Sequence, residues 1–105
     1  MKVWMGIAGA IVMALGVGQA VAADSGLSLA QKNACMSCHS VDKKIVGPAY
    51  KDVAAKYKGD KGAEAKLIEK VKRGGAGVWG QVPMPPNPQA KDADLKIIVH
   101  WVLSL

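Results

Sequence analysis

Both cysteines of this 105-residue chain fall in one pentapeptide, Cys35-Met36-Ser37-Cys38-His39, and that cluster constrains the fold more than any other feature. Three chemistries use it: a dithiol redox centre, part of a zinc site, or an anchor for haem. The choice depends on the compartment and on what else the chain offers.

The N-terminus addresses the compartment. Met1 and Lys2 make a short basic start, residues 3–18 carry no charge, and Ala20-Val21-Ala22 supplies the small-x-small pattern read by signal peptidase. Residues 1–23 are therefore expected to be a secretory signal peptide, cleaved after Ala22 or Ala23. An uncleaved anchor is the competing reading, but the run is short for a span and rich in glycine. Nothing later is apolar for long enough to cross a bilayer, so no stable membrane insertion is expected after cleavage.

What remains, residues 24–105, is one small domain. Chains of this size bury little apolar surface and lean on a disulfide, a metal or another staple. This one has no phenylalanine, and its aromatic residues beyond the leader are Tyr50, Tyr57, Trp79 and Trp101. Something other than side chains is expected to fill the core. The formal charge of +6 includes Lys2 of the leader. Export makes nucleic acid an improbable partner, and the lysines are interspersed along the chain, as on solvated helix faces or a surface that meets an acidic protein.

The periodicity predicts helices and no strand. Ser28 and Gln31 form a capping box ahead of a helix from about Leu29 into the cysteine cluster. Pro48 opens a second helix, with Tyr50, Val53, Ala54 and Tyr57 on one face and Gly59 at its end. Asp60 caps a third, whose Leu67, Ile68 and Val71 face inward and which stops at Gly74-Gly75. A fourth carries Leu95, Ile98, Val99, Val102 and Leu103 on one face, with Asp92 and Asp94 near its N-terminus. His100 points away from that face, to solvent.

Between the third and fourth helices, GGAGVWGQVPMPPNP is too rich in glycine and proline for regular structure. Gly75, Gly77 and Gly80 match G-x-G-x-x-G, but the dinucleotide motif needs a strand before it and a helix after it, and here a helix precedes and prolines follow. The segment is expected instead to press its backbone against something flat.

Zinc would need four ligands, and beyond the leader the chain offers only Cys35, Cys38, His39 and the outward His100. A redox dithiol wants a βαβ context that is missing here. Both leave His39 without a role. Haem employs every member of the cluster: Cys35 and Cys38 add across the two porphyrin vinyl groups, and His39 becomes an axial ligand to iron. The sixth ligand follows by elimination. Met1, Met5 and Met13 lie in the leader and Met36 is tied between the two cysteines, which leaves Met84, stiffened by Pro83, Pro85 and Pro86. His/Met ligation fills both axial positions, which suits electron transfer.

The segments CMSCH, VGPAYKDVAAKY, GVWGQVPMPPN and WVLSL resemble the class I c-type cytochromes, the small bacterial mono-haem kind that donates electrons to nitrite reductase and terminal oxidases. The resemblance spans Leu29 to Leu105. It implies a compact all-α fold, about four short helices wrapped around one covalently bound haem c. It further implies that Pro48 accepts the Nδ1 hydrogen bond of His39, that Trp79 donates to a haem propionate, and that Asn87 donates to the Met84 sulfur. Two departures stand out. Lys70 occupies a position where some members carry an arginine, and Lys91 replaces the usual serine cap of the last helix, which leaves the capping to Asp92.

The expectation is thus a monomeric, periplasmic electron carrier rather than an enzyme. It would run between a membrane quinol-oxidising complex and an acidic docking surface on a reductase or oxidase. Electrons would leave through a small apolar patch at Met36, Ser37, Val46 and Pro85, with Lys32, Lys43 and Lys44 steering. The alternative, a haem enzyme of peroxidase type or a haem-based sensor, requires that Met84 not be a stable ligand.

Overall fold

A computed structural model describes residues 22–105. The expected leader lies outside the described residues except for its last two positions, which open the first helix. Four helices follow: α1 Ala22–Lys32, α2 Tyr50–Lys56, α3 Ala63–Arg73 and α4 Asp92–Leu103, with one 3-10 turn at Cys35–Ser37. Among the described residues there is no strand, only two isolated antiparallel bridges, His39 with Lys44 and Gly75 with Met84. The architecture is all-α, as the periodicity predicts.

α4 is the hub of the fold. Helices α1, α2 and α3 each pack on it, and among the described residues none of the three packs on another. Leu95, Ile98, Val99 and Val102 are buried, at the i, i+3, i+4, i+7 spacing of an apolar stripe. Trp101 is buried as well and widens the stripe, whereas Leu103, expected on this face, is only half-buried. The reason lies in α1. Gly26 is so close to α4 that a Cβ there would overlap Cβ and Cγ of Trp101. The indole then meets the Tyr50 ring of α2 edge-on, with centroids 5.7 Å apart and planes at 85°, a preferred aromatic arrangement worth about 0.5–1.5 kcal/mol beyond its buried area.

All four helix starts differ from the sequence expectation. α1 begins at Ala22, so Ser28 is an exposed mid-helix residue and not a cap. Gly26 and Ala30, one turn apart and both buried, hold the preceding turn against α4, and tertiary packing of this kind outweighs a local capping signal. Pro48 lies just ahead of α2, whose N-cap is Ala49 in an extended conformation. Lys91 is the N-cap of α4 but makes no side-chain cap. Asp92 does not cap it either: as the first helical residue it receives Lys72 Nζ of α3 at 2.5 Å and ties α3 to α4. Asp60 precedes the N-cap of α3, Gly62. Its carboxyl accepts the Gly62 N–H at 2.9 Å and meets Lys66 Nζ at 3.1 Å, which together hold it below the usual carboxylate range.

The Gly26 contact sets two effects against each other. Alanine in place of a helical glycine gains about 1 kcal/mol of helix propensity. The atoms it would strike sit at the root of the Trp101 side chain and cannot swing aside, and overpacking costs about 1–3 kcal/mol. Gly26→Ala should therefore lower the unfolding midpoint of the haem-loaded protein in thermal or denaturant titration. A raised midpoint would show that α1 and α4 sit farther apart than described.

Candidate functional site

The four ligand-type side chains come from two segments, and a third orients one of them. The first begins where α1 ends. The Asn33 N–H donates to Leu29 O at 3.0 Å and the Ala34 N–H to Gln31 O at 3.1 Å, after which Ala34 takes a left-handed conformation, φ 63°. That conformation costs an L-residue roughly 1–2 kcal/mol, and it reverses the chain into the 3-10 turn. Cys38 and His39 N–H groups both donate back to Cys35 O, at 3.2 and 3.1 Å, so the two thiols and the imidazole share one turn. Cys35 and Cys38 are not joined to each other as a disulfide, and both are half-buried. Burial pushes the Cys35 thiol up, since an apolar wall disfavours the thiolate.

The second segment orients His39. The ring Nδ1–H donates to the Pro48 carbonyl at 2.8 Å, which fixes the tautomer and leaves the Nε2 lone pair available as a ligand. Gly47 is needed here: a Cβ would stand 2.5 Å from Cε1 and 2.9 Å from Nδ1 of the imidazole.

The third segment carries Met84. α3 stops at Gly74, φ 73°, where a Cβ would run into the Met84 carbonyl. Gly75 and Met84 then exchange backbone bonds, Gly75 N–H to Met84 O at 3.0 Å and Met84 N–H to Gly75 O at 2.8 Å, and the Gly77 N–H closes on Gly80 O at 2.8 Å. The glycine loop is thus a small hairpin. Gly77 and Gly80 have positive φ but open space beside them, so they serve the turn, and the close backbone approach expected of the loop occurs at Gly74 against Met84.

These segments close on a cleft of about 350 Å³, within the ~300–1,000 Å³ range of small-molecule sites. Its back wall is Leu95, Ile98, Val99 and Val102 of α4, its sides are Val53, Tyr57, Leu67 and Val71, and Cys35, Cys38, His39 and Met84 all line it. Among the described residues no polar or charged residue is buried.

The other expected residues divide. Pro48 meets His39 as described. Trp79 lines the cleft at its rim, 41% exposed, with Lys56 Nζ 5.6 Å from its ring centroid. Lys70 also lines the cleft, its Nζ beside Gly75. Asn87 Nδ2 donates one hydrogen bond to Asn33 O at 3.1 Å, a partner the sequence expectation did not include. Carbonyls at the end of a helix lack intrahelical donors. Of the expected apolar patch, Val46 and Pro85 are exposed and line the cleft and Ser37 is exposed, whereas Met36 is half-buried and packs against the core; Val78 and Val82 are further exposed apolar residues of the cleft. Sequence reasoning missed Gly47 and the stacking of Tyr50 on His39, for which the run Gly47-Pro48-Ala49-Tyr50 right after the cluster is the only local signal.

Two thiols, an imidazole with Nε2 available and a thioether on one apolar wall suit a flat apolar prosthetic group that bears a soft-ligand metal. Four helices around that wall define the class: a small α-helical haem carrier. The chain belongs to the cytochrome c family, whose model, Cytochrome c, matches residues 23–105. It is 61% identical over 79 residues to cytochrome c-551 of Allochromatium vinosum, covering 75% of this chain and 84% of that protein. It is 47% identical over 103 residues to cytochrome c-552 of Nitrosomonas europaea, covering 97% and 95%. The crystal structure of wild-type Nitrosomonas europaea cytochrome c552 matches with a TM-score of 0.73 at 52% identity, covering 75% of this chain and 98% of that one. The chain is a small bacterial class I c-type cytochrome, a mono-haem electron-transfer protein with covalently bound haem c, and not an enzyme.

Proposed function

We propose that Cys35 and Cys38 hold the haem through thioether bonds, that His39 Nε2 and Met84 sulfur are its axial ligands, and that the protein shuttles single electrons in the periplasm. Residues 1–23 would be the export signal. The donor would be a membrane quinol-oxidising complex, and the acceptor a terminal reductase, such as nitrite reductase, or an oxidase. The observation that carries the reading is that both thiols, His39 and Met84 line one apolar cleft and that the Pro48 carbonyl already holds His39 by Nδ1. When bound, the haem supplies a one-electron ferric/ferrous couple.

The residues of the chain do the rest. Pro48 keeps the imidazole turned and raises its basicity as a ligand. The Gly75–Met84 bridge and three prolines hold the thioether, which argues against the labile sixth position that a peroxidase or sensor would need. Trp79 and Lys70 stand at the rim where propionates would reach solvent, and the second Asn87 amide proton is the one left for the Met84 sulfur. Val46, Val78 and Val82, exposed and lining the cleft, form an apolar patch of the kind that marks interaction sites. Lys43 and Lys44 are exposed on the segment that follows His39, and as rim charges they would steer an acidic partner. Lys32, at the end of α1, adds to the same field. A monomer suffices for this task.

Three measurements test the proposal. The Cys35→Ser, Cys38→Ser double variant should release its haem on acid–acetone extraction while the wild type retains it; retention in the double variant would exclude thioether attachment. Wild-type ferric protein should show the weak far-red sulfur-to-iron band, and Met84→Ala should lose it, bind cyanide or carbon monoxide rapidly, and have a lower midpoint potential. An unchanged band in Met84→Ala would remove Met84 from the iron. For the docking surface, Lys43→Glu with Lys44→Glu should slow reduction of an acidic partner roughly tenfold or more at low ionic strength. The difference should vanish near ~1 M salt, where the Debye length is about 3 Å. Stopped-flow rates across a salt series measure it, and equal rates at low salt would make these lysines a solvated face.

A further inference from the structure

The His39 ring is held on three sides. Pro48 takes Nδ1 at 2.8 Å, Gly47 lies against Cε1, and the Tyr50 ring stacks on the imidazole with centroids 4.8 Å apart and planes 20° apart. The hydrogen bond fixes where one nitrogen points, yet a single bond permits the ring to tilt about the N–H···O line, and the terminal torsion of histidine is intrinsically broad. A flat neighbour removes that freedom. Tyr50 is itself immobilised: it is buried in the core, and Trp101 of α4 meets it edge-on at 5.7 Å. Trp101 in turn is backed by Gly26 of α1. The rings of His39, Tyr50 and Trp101 therefore form a continuous aromatic column from the α1–α4 crossing to the cleft.

The geometry points to Tyr50 as a positioning residue for His39: its ring, braced by Trp101, sets the plane in which the imidazole meets the iron. This rests on the assignment of His39 as an axial ligand. A planar nitrogen donor splits the iron d orbitals according to the direction of its plane, so a group that fixes the plane tunes the metal without touching it, as outer-shell partners of metal-bound histidines do. Aromatic contact is the relevant property, and the hydroxyl is not needed for it. Tyr50→Phe should preserve the effect, and an aliphatic residue of similar bulk should lose it.

The test uses ferric haem-loaded protein as wild type, Tyr50→Phe, Tyr50→Leu and Tyr50→Met. Each is read by low-temperature electron paramagnetic resonance, by redox titration and by the far-red sulfur-to-iron band. Tyr50→Phe should retain the wild-type g values as a single species. Tyr50→Leu and Tyr50→Met should shift the largest g value or divide it among several species, with a displaced midpoint potential, while the far-red band persists. Lost stability alone would not move g values in protein that remains folded. Wild-type g values in either aliphatic variant would overturn the proposal. Should neither variant hold haem, Trp101→Leu decides: displaced g values support the column, and unchanged ones overturn it. Absence of the far-red band from wild type is a different result, which removes the His/Met assignment itself.

Discussion

The rest of the structure depends on the apolar face of α4 being divided between protein and prosthetic group. On one side Trp101 meets α1 at Gly26 and α2 at Tyr50. On the other, Leu95, Ile98, Val99 and Val102 form the back of the cleft. A domain this small has too few large side chains to close a core by itself, and Leu95 is the one large side chain fully buried among the described residues. Because α1, α2 and α3 each contact α4 and not one another, the space they leave is set by a single helix, and a covalently bound haem is what completes the burial.

This arrangement explains why the site residues sit at helix ends. The cysteine turn follows the C-terminus of α1, Pro48 precedes α2, and the Met84 hairpin departs from the C-terminus of α3. Helix ends carry unpaired backbone groups, and the loops that bring in the site residues use them. Asn87 donates its side chain to Asn33 O at the end of α1, and its backbone N–H bonds Val71 O of α3 at 2.9 Å. The segment after Met84 is thereby pinned to both the helix that leads to the cysteines and the helix that leads to the glycine hairpin. The two sides of the cleft hold each other in register.

Local features were legible in the sequence, and features created by contact were not. The Cys35–His39 cluster, the lone candidate Met84 and the stripe at Leu95, Ile98, Val99 and Val102 each declare themselves within a few residues, because spacing along the chain decides them. The start of α1 does not: the Ser28–Gln31 box is a sound local signal, and it loses to the packing of Gly26 and Ala30 on a helix some seventy residues later. Trp101 in place of Leu103, Lys72 on Asp92 in place of a cap, and the bond from Asn87 to Asn33 fail for the same reason, since each partner is distant in sequence. The family resemblance located Pro48 and Trp79 at the cleft, but it had no means of separating the two protons of the Asn87 amide.

The electrostatics of the cleft and the proposed ligand pair act in the same direction. Oxidation of the iron adds a positive charge, and an apolar environment disfavours added charge. Among the described residues no carboxylate is buried to offset it; the charged side chains lining the cleft are Lys44, Lys70 and the exposed Asp52, two cations against one anion, and that balance disfavours it further. A thioether donor also prefers ferrous iron. Wall, rim and proposed ligand thus all favour the reduced form and raise the potential. The backbone bridge at Met84 and the bond at His39 hold the two segments that would carry the proposed ligands.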